Sequence, residues 1–215
     1  VVECNTAYPG SRNTTAAHWQ TMRDHGWSDA FTVDIMDEEG PDLQLLIPNG
    51  KVIQKNYVGK HLTRYDSMLV LSHFKGHPMG GFGGALKQLS IGVASSYGKA
   101  YIHGAGDAKV GFGADHDSFL ASMADAASSV AKRFAGKAVY INVMKNLSVA
   151  DIGIMASLDP IAIDQACVDM VYAATDDPGQ QHMLERIESR HGIYTIECAA
   201  GLGFGSREYE RVDLD

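Results

Sequence analysis

Ser67-Met-Leu-Val-Leu-Ser72 runs directly into His73-Phe-Lys-Gly-His77-Pro-Met-Gly80-Gly81-Phe-Gly83-Gly84-Ala-Leu-Lys87, and this stretch decides the fold expected of the chain. The first six residues form a short continuous apolar run of the kind found in a strand covered on both faces, so they read as a central strand. A glycine-rich turn follows, then a helix from about Gly84 to Ser95 and a strand from Lys99 to His103. Strand, helix and strand in that order imply a right-handed crossover and parallel pairing.

Working towards the C-terminus, the alanine-rich amphipathic spacing from about His116 to Phe134 predicts a helix, and Ala138 to Val143 the strand after it. Ile152 to Ala156 reads as a further strand. Asp159-Pro160 then supplies an acceptor side chain and a first-turn proline for a helix ending near Thr175. A charged helix is expected over Gln180 to Arg190, a short one near Thr195 to Ala200, and an edge strand over Arg207 to Val212. Towards the N-terminus, Val1 to Cys4 reads as a strand end, and the polar stretch Tyr8 to Thr15 opens a helix closed by Gly26. Phe31 to Met36, Leu43 to Ile47 and Lys51 to Tyr57 are β-rich, and Pro48-Asn49-Gly50 suggests a hairpin. The expected fold is therefore α/β: a mainly parallel sheet with helices on both faces, plus a short β-hairpin region near the N-terminus. Residues 1 to 215 are read as a single domain with a truncated N-terminus.

Composition narrows the function classes. The formal charge is −8, from 26 acidic and 18 basic residues. No run of Lys or Arg could follow a phosphate backbone, which argues against nucleic acid as a partner. No apolar run reaches the roughly 18 residues needed to cross a bilayer, and residues 1 to 20 lack the features of a signal peptide, so no membrane partner and a cytoplasmic location are expected. The three cysteines, Cys4, Cys167 and Cys198, are widely spaced without any CxxC pair, and read as reduced, buried thiols.

In open α/β sheets, ligands gather where the carboxyl ends of strands enter helices. Two loops qualify here, the glycine turn and the segment from His103 to Asp107. Gly80, Gly81, Gly83 and Gly84 let the backbone approach a ligand closely, and free N–H groups at the following helix start would attract an anion, as in a phosphate cradle. No Gly-Lys-Ser/Thr follows, so this is not a Walker A loop. His73, Lys75, His77 and Lys87 share the segment, and His103 closes the next element. Neutral imidazole binds transition metals or moves protons near neutral pH, and a desolvated lysine becomes a nucleophile or covalent anchor. His73 and His77 have the spacing of an HxxxH metal pair, but Gly76 and Pro78 argue against a helix there, so no two-histidine zinc site is inferred. Asp107 is read as a metal or water ligand or a solvated loop acid, and Asp159 as a helix cap. Asp164, Cys167 and Met170 recur at helical spacing compatible with a core. Arg12, Thr14 and Thr15 either cap a helix or hold a carboxylate or phosphate.

The text from His73 to Lys87, with Ser157-Leu-Asp159-Pro-Ile-Ala-Ile-Asp164-Gln-Ala-Cys167, resembles the domain of unknown function 362 family. Tyr8-Pro-Gly-Ser-Arg12, Ala17-His18-Trp19 and the closing Gly201 to Arg207 extend the resemblance over almost the whole chain. It implies an iron-sulfur-associated protein, a redox or electron-transfer module with a ferredoxin-type redox partner. Family sequences commonly carry a Cys-Asp-rich stretch after Asn-Leu-Ser-Val, whereas this one passes from Val149 straight to Ala150-Asp151. The expectation is an omitted loop between Val149 and Ala150, and an iron-sulfur cluster only if that loop supplies cysteines.

The glycine turn also resembles the motif of the lactate racemase family, in which a histidine, a Gly-Phe-x-Gly-Gly core, a lysine and a later histidine recur. Lys87 follows His77 by ten residues, and His103 follows Lys87 by sixteen. The resemblance implies that His77 transfers protons, Lys87 tethers a nickel-pincer nucleotide and His103 binds the nickel, with His18 or His73 as the second proton-transferring histidine. The function implied is a racemase- or epimerase-like enzyme, or an oxidoreductase, acting on a small hydroxy acid. The alternatives are the iron-sulfur-associated module, another metal site, or a nucleotide-binding module without catalysis that takes a small-molecule or nucleotide-like anionic ligand.

Overall fold

The computed structural model describes residues 1–145, 151–174 and 178–214. The expected junction between Val149 and Ala150 lies outside the described residues.

Strand β1 (Val2–Glu3) leads to helix α1 (Thr15–Asp24), which begins where the Thr14 hydroxyl accepts the Ala17 N–H and ends before Gly26 at φ 71°. After α2 (Trp27–Ala30), strand β2 (Asp34–Ile35) pairs parallel to β1. Strands β3 (Leu43–Leu46) and β4 (Lys55–Val58) form the expected antiparallel hairpin. Their connection is fixed by the buried Asp125 carboxylate, which accepts the N–H groups of Lys51, Val52 and Ile53.

Strand β5 (Met68–His73) is followed by a hairpin of β6 (Lys75–His77) and β7 (Gly81–Gly83). Helix α3 (Ala85–Lys87) then widens into a π-type turn over Gln88–Gly92. Next come α4 (Ser96–His103), the long α5 (His116–Arg133), β8 (Ala138–Met144) and β9 (Gly153–Ser157). Helices α6 (Pro160–Ala173), α7 (Pro178–Ser189) and α8 (Ile193–Gly201) complete the regular elements. Asp159 caps α6 as expected, accepting the N–H groups of Ile161 and Ala162.

The fold is α/β, but the sheet departs from the expectation in three ways. The strand order is β5-β8-β9, so the apolar run at Met68–His73 lies at one side and β8 is central. β5 and β8 are parallel, with the crossover spanning α3, α4 and α5, whereas β9 runs antiparallel to β8. A parallel return needs a connection of roughly a dozen residues or more, and β9 follows β8 too soon for that. Helices also cover one face only. Val70 and Ser72 point into the core, while Leu69 and Leu71 on the opposite face are 64% and 61% exposed, and Ile154 on β9, beyond β8, is 71% exposed.

The expected strand at Lys99 to His103 is the second half of α4. Ser95 caps that helix through Gly98 N–H, and the buried positions Gly98, Lys99, Ile102 and His103 follow a helical spacing. Gly98 lets α4 lie against β4, because a Cβ there would stand 1.9 Å from the Tyr57 carbonyl oxygen. The expected edge strand at Arg207 to Val212 is irregular chain.

The core gathers around α5, whose residues Phe119 to Ala131 are all buried. A helix buried on every side belongs inside a layered fold, and its small residues let α3, α4 and α8 approach closely. Each fully buried side chain such as Phe119 or Leu120 contributes about 2 kcal/mol through water exclusion.

Candidate functional site

The glycine turn is a hairpin, with His77 opposite Gly81 and Lys75 opposite Gly83. Two of its glycines are required by packing. Gly81 has φ 75°, and a Cβ there would sit 2.8 Å from Gly192 Cα at the start of α8; a Cβ on Gly84 would fall 2.4 Å from the Asp164 carboxylate. Gly80 leaves room beside His77 Nδ1, and Gly83 leaves room for the Lys87 stem.

The helix start after this hairpin is already occupied. Asp164, fully buried on α6, accepts the N–H groups of Ala85 and Leu86 at 2.7 and 2.9 Å and a third hydrogen bond from Asn142 Nδ2 at 2.7 Å. Burial pushes its carboxyl up to about 6 against the lowering effect of those bonds. These two backbone donors are therefore not free to meet a ligand.

His77 and His103 are held in complementary ways. His77 Nδ1 accepts the N–H groups of Met79 and Gly80 at 3.2 and 3.0 Å, which places the proton of the neutral ring on Nε2. Burial, then the positive charges of Lys87, His103, Lys75 and Arg186, push its pKa down to about 4. His103 Nδ1 instead stands 2.7 Å from the Lys99 carbonyl, which can only accept, so Nδ1 carries the proton and Nε2 keeps its lone pair. Phe119 stacks on the His103 ring at 4.9 Å and Phe112 meets it edge-on at 4.8 Å. Burial lowers its pKa against the raising effect of the hydrogen bond to the Lys99 carbonyl, and the positive charges of Lys87 and Lys99 act with burial.

Lys87 ends α3, and among the described residues nothing takes a hydrogen bond from its amine. Burial, then Lys75, Lys99 and Arg12, push its pKa down to about 8, so the amine gives up its proton more readily than an ordinary lysine. Lys99, one turn before His103, is 5% exposed and donates to the carbonyls of Ala94 and Cys4. The sequence reading did not single out Lys99, although its four-residue spacing from His103 carried the signal once α4 is read as a helix.

Other expected residues lie elsewhere. His73 sits exposed on the open sheet face, with its ring 2.8 Å from the Lys145 carbonyl. Asp107 is an exposed loop acid closing on the Lys109 N–H. His18 is fully buried, with Nδ1 3.1 Å from Asn5 Oδ1 and Nε2 without a partner, and Arg12 and Lys99 act on it electrostatically. Thr14 caps α1, and Thr15 accepts from Asn5. The three cysteines are buried and unpaired, as expected.

Fold and site together define a class: an α/β protein with two imidazoles and a half-buried lysine in a cation-rich region. Residues 1–169 match the model of the family described as a domain of unknown function (DUF362), and the chain belongs to that family. No curated protein and no solved structure matches the chain. Among the described residues, no helix is long and apolar enough to cross a membrane.

Proposed function

We propose that His77, Lys87 and His103 bind an anionic, nucleotide-like cofactor and serve a racemase- or epimerase-like reaction on a small hydroxy acid. The observation that carries this reading is the pairing of opposite imidazole tautomers with a half-buried amine. The surroundings supply Arg12, Lys75 and Lys99 as further cations, matching a ligand that brings negative charge.

The residues fit a lysine-tethered nickel-pincer nucleotide in chemical type. His103 offers an Nε2 lone pair, its other nitrogen oriented by a carbonyl in the manner usual for metal-bound histidine. Lys87 offers an amine that deprotonates readily. When bound, such a group supplies a hydride-accepting centre beside a metal. His77 presents an N–H at Nε2 and in this state donates to a ligand oxygen. Taking up a proton at Nε2 requires the other tautomer, which loses the bonds from Met79 and Gly80. The arrival of negative charge near Lys87 would raise the His77 pKa from its low value and make proton exchange easier.

The test is intact-mass and metal analysis of protein from its native host. A mass increment on Lys87 with stoichiometric nickel, the nickel lost in His103→Ala, is the expected result. Neither increment nor nickel would overturn the cofactor assignment. Saturable mononucleotide binding that survives His77→Ala, with no adduct, would instead identify a binding module without catalysis. The iron-sulfur reading has no ligand set among the described cysteines. Cys4 contacts the Val93 carbonyl, Cys167 the Asn142 amide and Cys198 the Lys51 amine.

A further inference from the structure

A second group of ligating side chains stands on different elements. Asp34 lies on β2, Glu38 and Glu39 follow it, and His61 belongs to the 3-10 turn Lys60–Arg64. That turn is seated on the segment after β2, with the His61 N–H donating to the Met36 carbonyl at 3.0 Å. One ligating atom from each of Asp34, Glu38 and His61 lies within 4.8 Å of the other two.

Proximity of acids alone would mean little, but the imidazole adds an independent observation. His61 is 1% exposed, and its Nδ1 stands 2.7 Å from Asp34 Oδ1. Asp34 can only accept and stands closer than the Arg64 Nη1 donor 3.0 Å from the same atom, so the carboxylate holds the proton on Nδ1 and Nε2 carries a lone pair. This Nε2 is buried and finds no hydrogen-bond partner, and the charged group recorded nearest to it is the Glu39 carboxylate at 3.8 Å. A buried lone pair left without a donor carries a desolvation penalty. A cation removes that penalty.

Neighbouring groups set the charge and orientation. The Tyr65 hydroxyl donates to Asp34 Oδ2, and Trp19 Nε1 donates to Glu38 Oε2 at 2.9 Å. Arg64 Nη1 lies 3.0 Å from His61 Nδ1 and is the one cationic side chain recorded in contact with the ring, set against the three carboxylates of Asp34, Glu38 and Glu39. The balance stays negative after Arg64 is counted. A carboxylate on one ring nitrogen and a metal on the other is the usual way a histidine ligand is oriented. Imidazole with carboxylates and no thiolate suits borderline divalent ions such as zinc, whereas calcium and magnesium prefer all-oxygen sets.

We propose that His61 Nε2, with the carboxylates of Glu38 and Glu39, binds one divalent transition-metal ion of the zinc type while Asp34 orients the ring from Nδ1, clamping the segment after β2 to the 60–64 turn. The site is separate from His77, Lys87 and His103, and does not depend on the function proposed for them.

Metal-free protein, prepared with a chelator, is titrated with Zn²⁺ by calorimetry and with Co²⁺ as a visible-absorbing substitute. One equivalent should bind, with a rise in Tm and Co²⁺ d–d bands. Affinity should fall at least tenfold in Glu38→Gln and in His61→Gln and stay unchanged in His103→Ala. Glu38 is exposed, so that variant keeps the test valid if the buried His61 replacement misfolds. No saturable binding, or binding unaffected by Glu38→Gln, overturns the proposal. So does loss of binding in His103→Ala alone, which would assign the ion to the other site.

Discussion

His103 donates its Nδ1 proton to the carbonyl of Lys99, one turn earlier on α4, at 2.7 Å. His77, on the neighbouring hairpin, uses the same ring atom to accept two backbone N–H groups. Nitrogen-resolved NMR of the two neutral rings should therefore show opposite tautomers, Nδ1–H for His103 and Nε2–H for His77. Identical tautomers would remove the geometric basis of the proposed division of roles.

Lys87 holds a half-buried amine whose pKa is lowered to about 8 from 10.5. The folded chain thus binds fewer protons than the unfolded chain between those values, and stability rises with pH across that window. Below about pH 8 the full penalty of burying the ammonium is present. Lys87→Met should raise stability at pH 7 by about 1–2 kcal/mol, a discounted figure for a partly accessible group, and the gain should fade between pH 8 and 10.5. Denaturant midpoints at pH 7 and 10 check this; a destabilised Met variant at pH 7 would contradict it.

Asp164 ties α6 to the start of α3 and to β8 through three accepted hydrogen bonds. Asp164→Ala leaves Ala85 N–H, Leu86 N–H and the Asn142 amide buried without that partner. A loss of about 3–5 kcal/mol is expected, read as a fall in the urea midpoint. Faster amide exchange at Ala85 and Leu86 should accompany it.

Gly84 and Gly111 offer a matched pair. A Cβ on Gly84 meets the Asp164 carboxyl at 2.4 Å, whereas one on Gly111 meets nothing within 4 Å, although φ there is 56°. Gly84→Ala should lower the thermal midpoint strongly, by the equivalent of about 3 kcal/mol, and Gly111→Ala by about 1 kcal/mol from backbone strain alone. Similar shifts in the two variants would show that Asp164 does not constrain the hairpin.

Much of the secondary structure was legible because its signals are local. The Thr14 cap and Gly26 stop bound α1, the alanine-rich spacing marks α5, and Asp159-Pro160 opens α6 as expected. The apolar run Ser67–Ser72 did predict a strand, observed as Met68–His73. It misled on the environment, since uniform hydrophobicity does not distinguish a strand covered twice from one with an open face. Lys99-Ala-Tyr-Ile-His103 misled on type, because a five-residue window cannot weigh the Ser95 cap and the helix packing against Tyr57.

The sequence by itself determined the α/β class, the major helices, the family and the spacing of His77, Lys87 and His103, all of which are written in short-range pattern or motif. Tertiary structure alone decided which partner each polar atom finds. It turned β9 antiparallel, left one sheet face bare, and placed the Asp164 carboxylate on the helix start after the glycines. It also set His77 and His103 in opposite tautomers. Those outcomes depend on contacts between residues far apart in the chain, where burial and hydrogen-bond satisfaction, rather than local propensity, fix the lowest free energy.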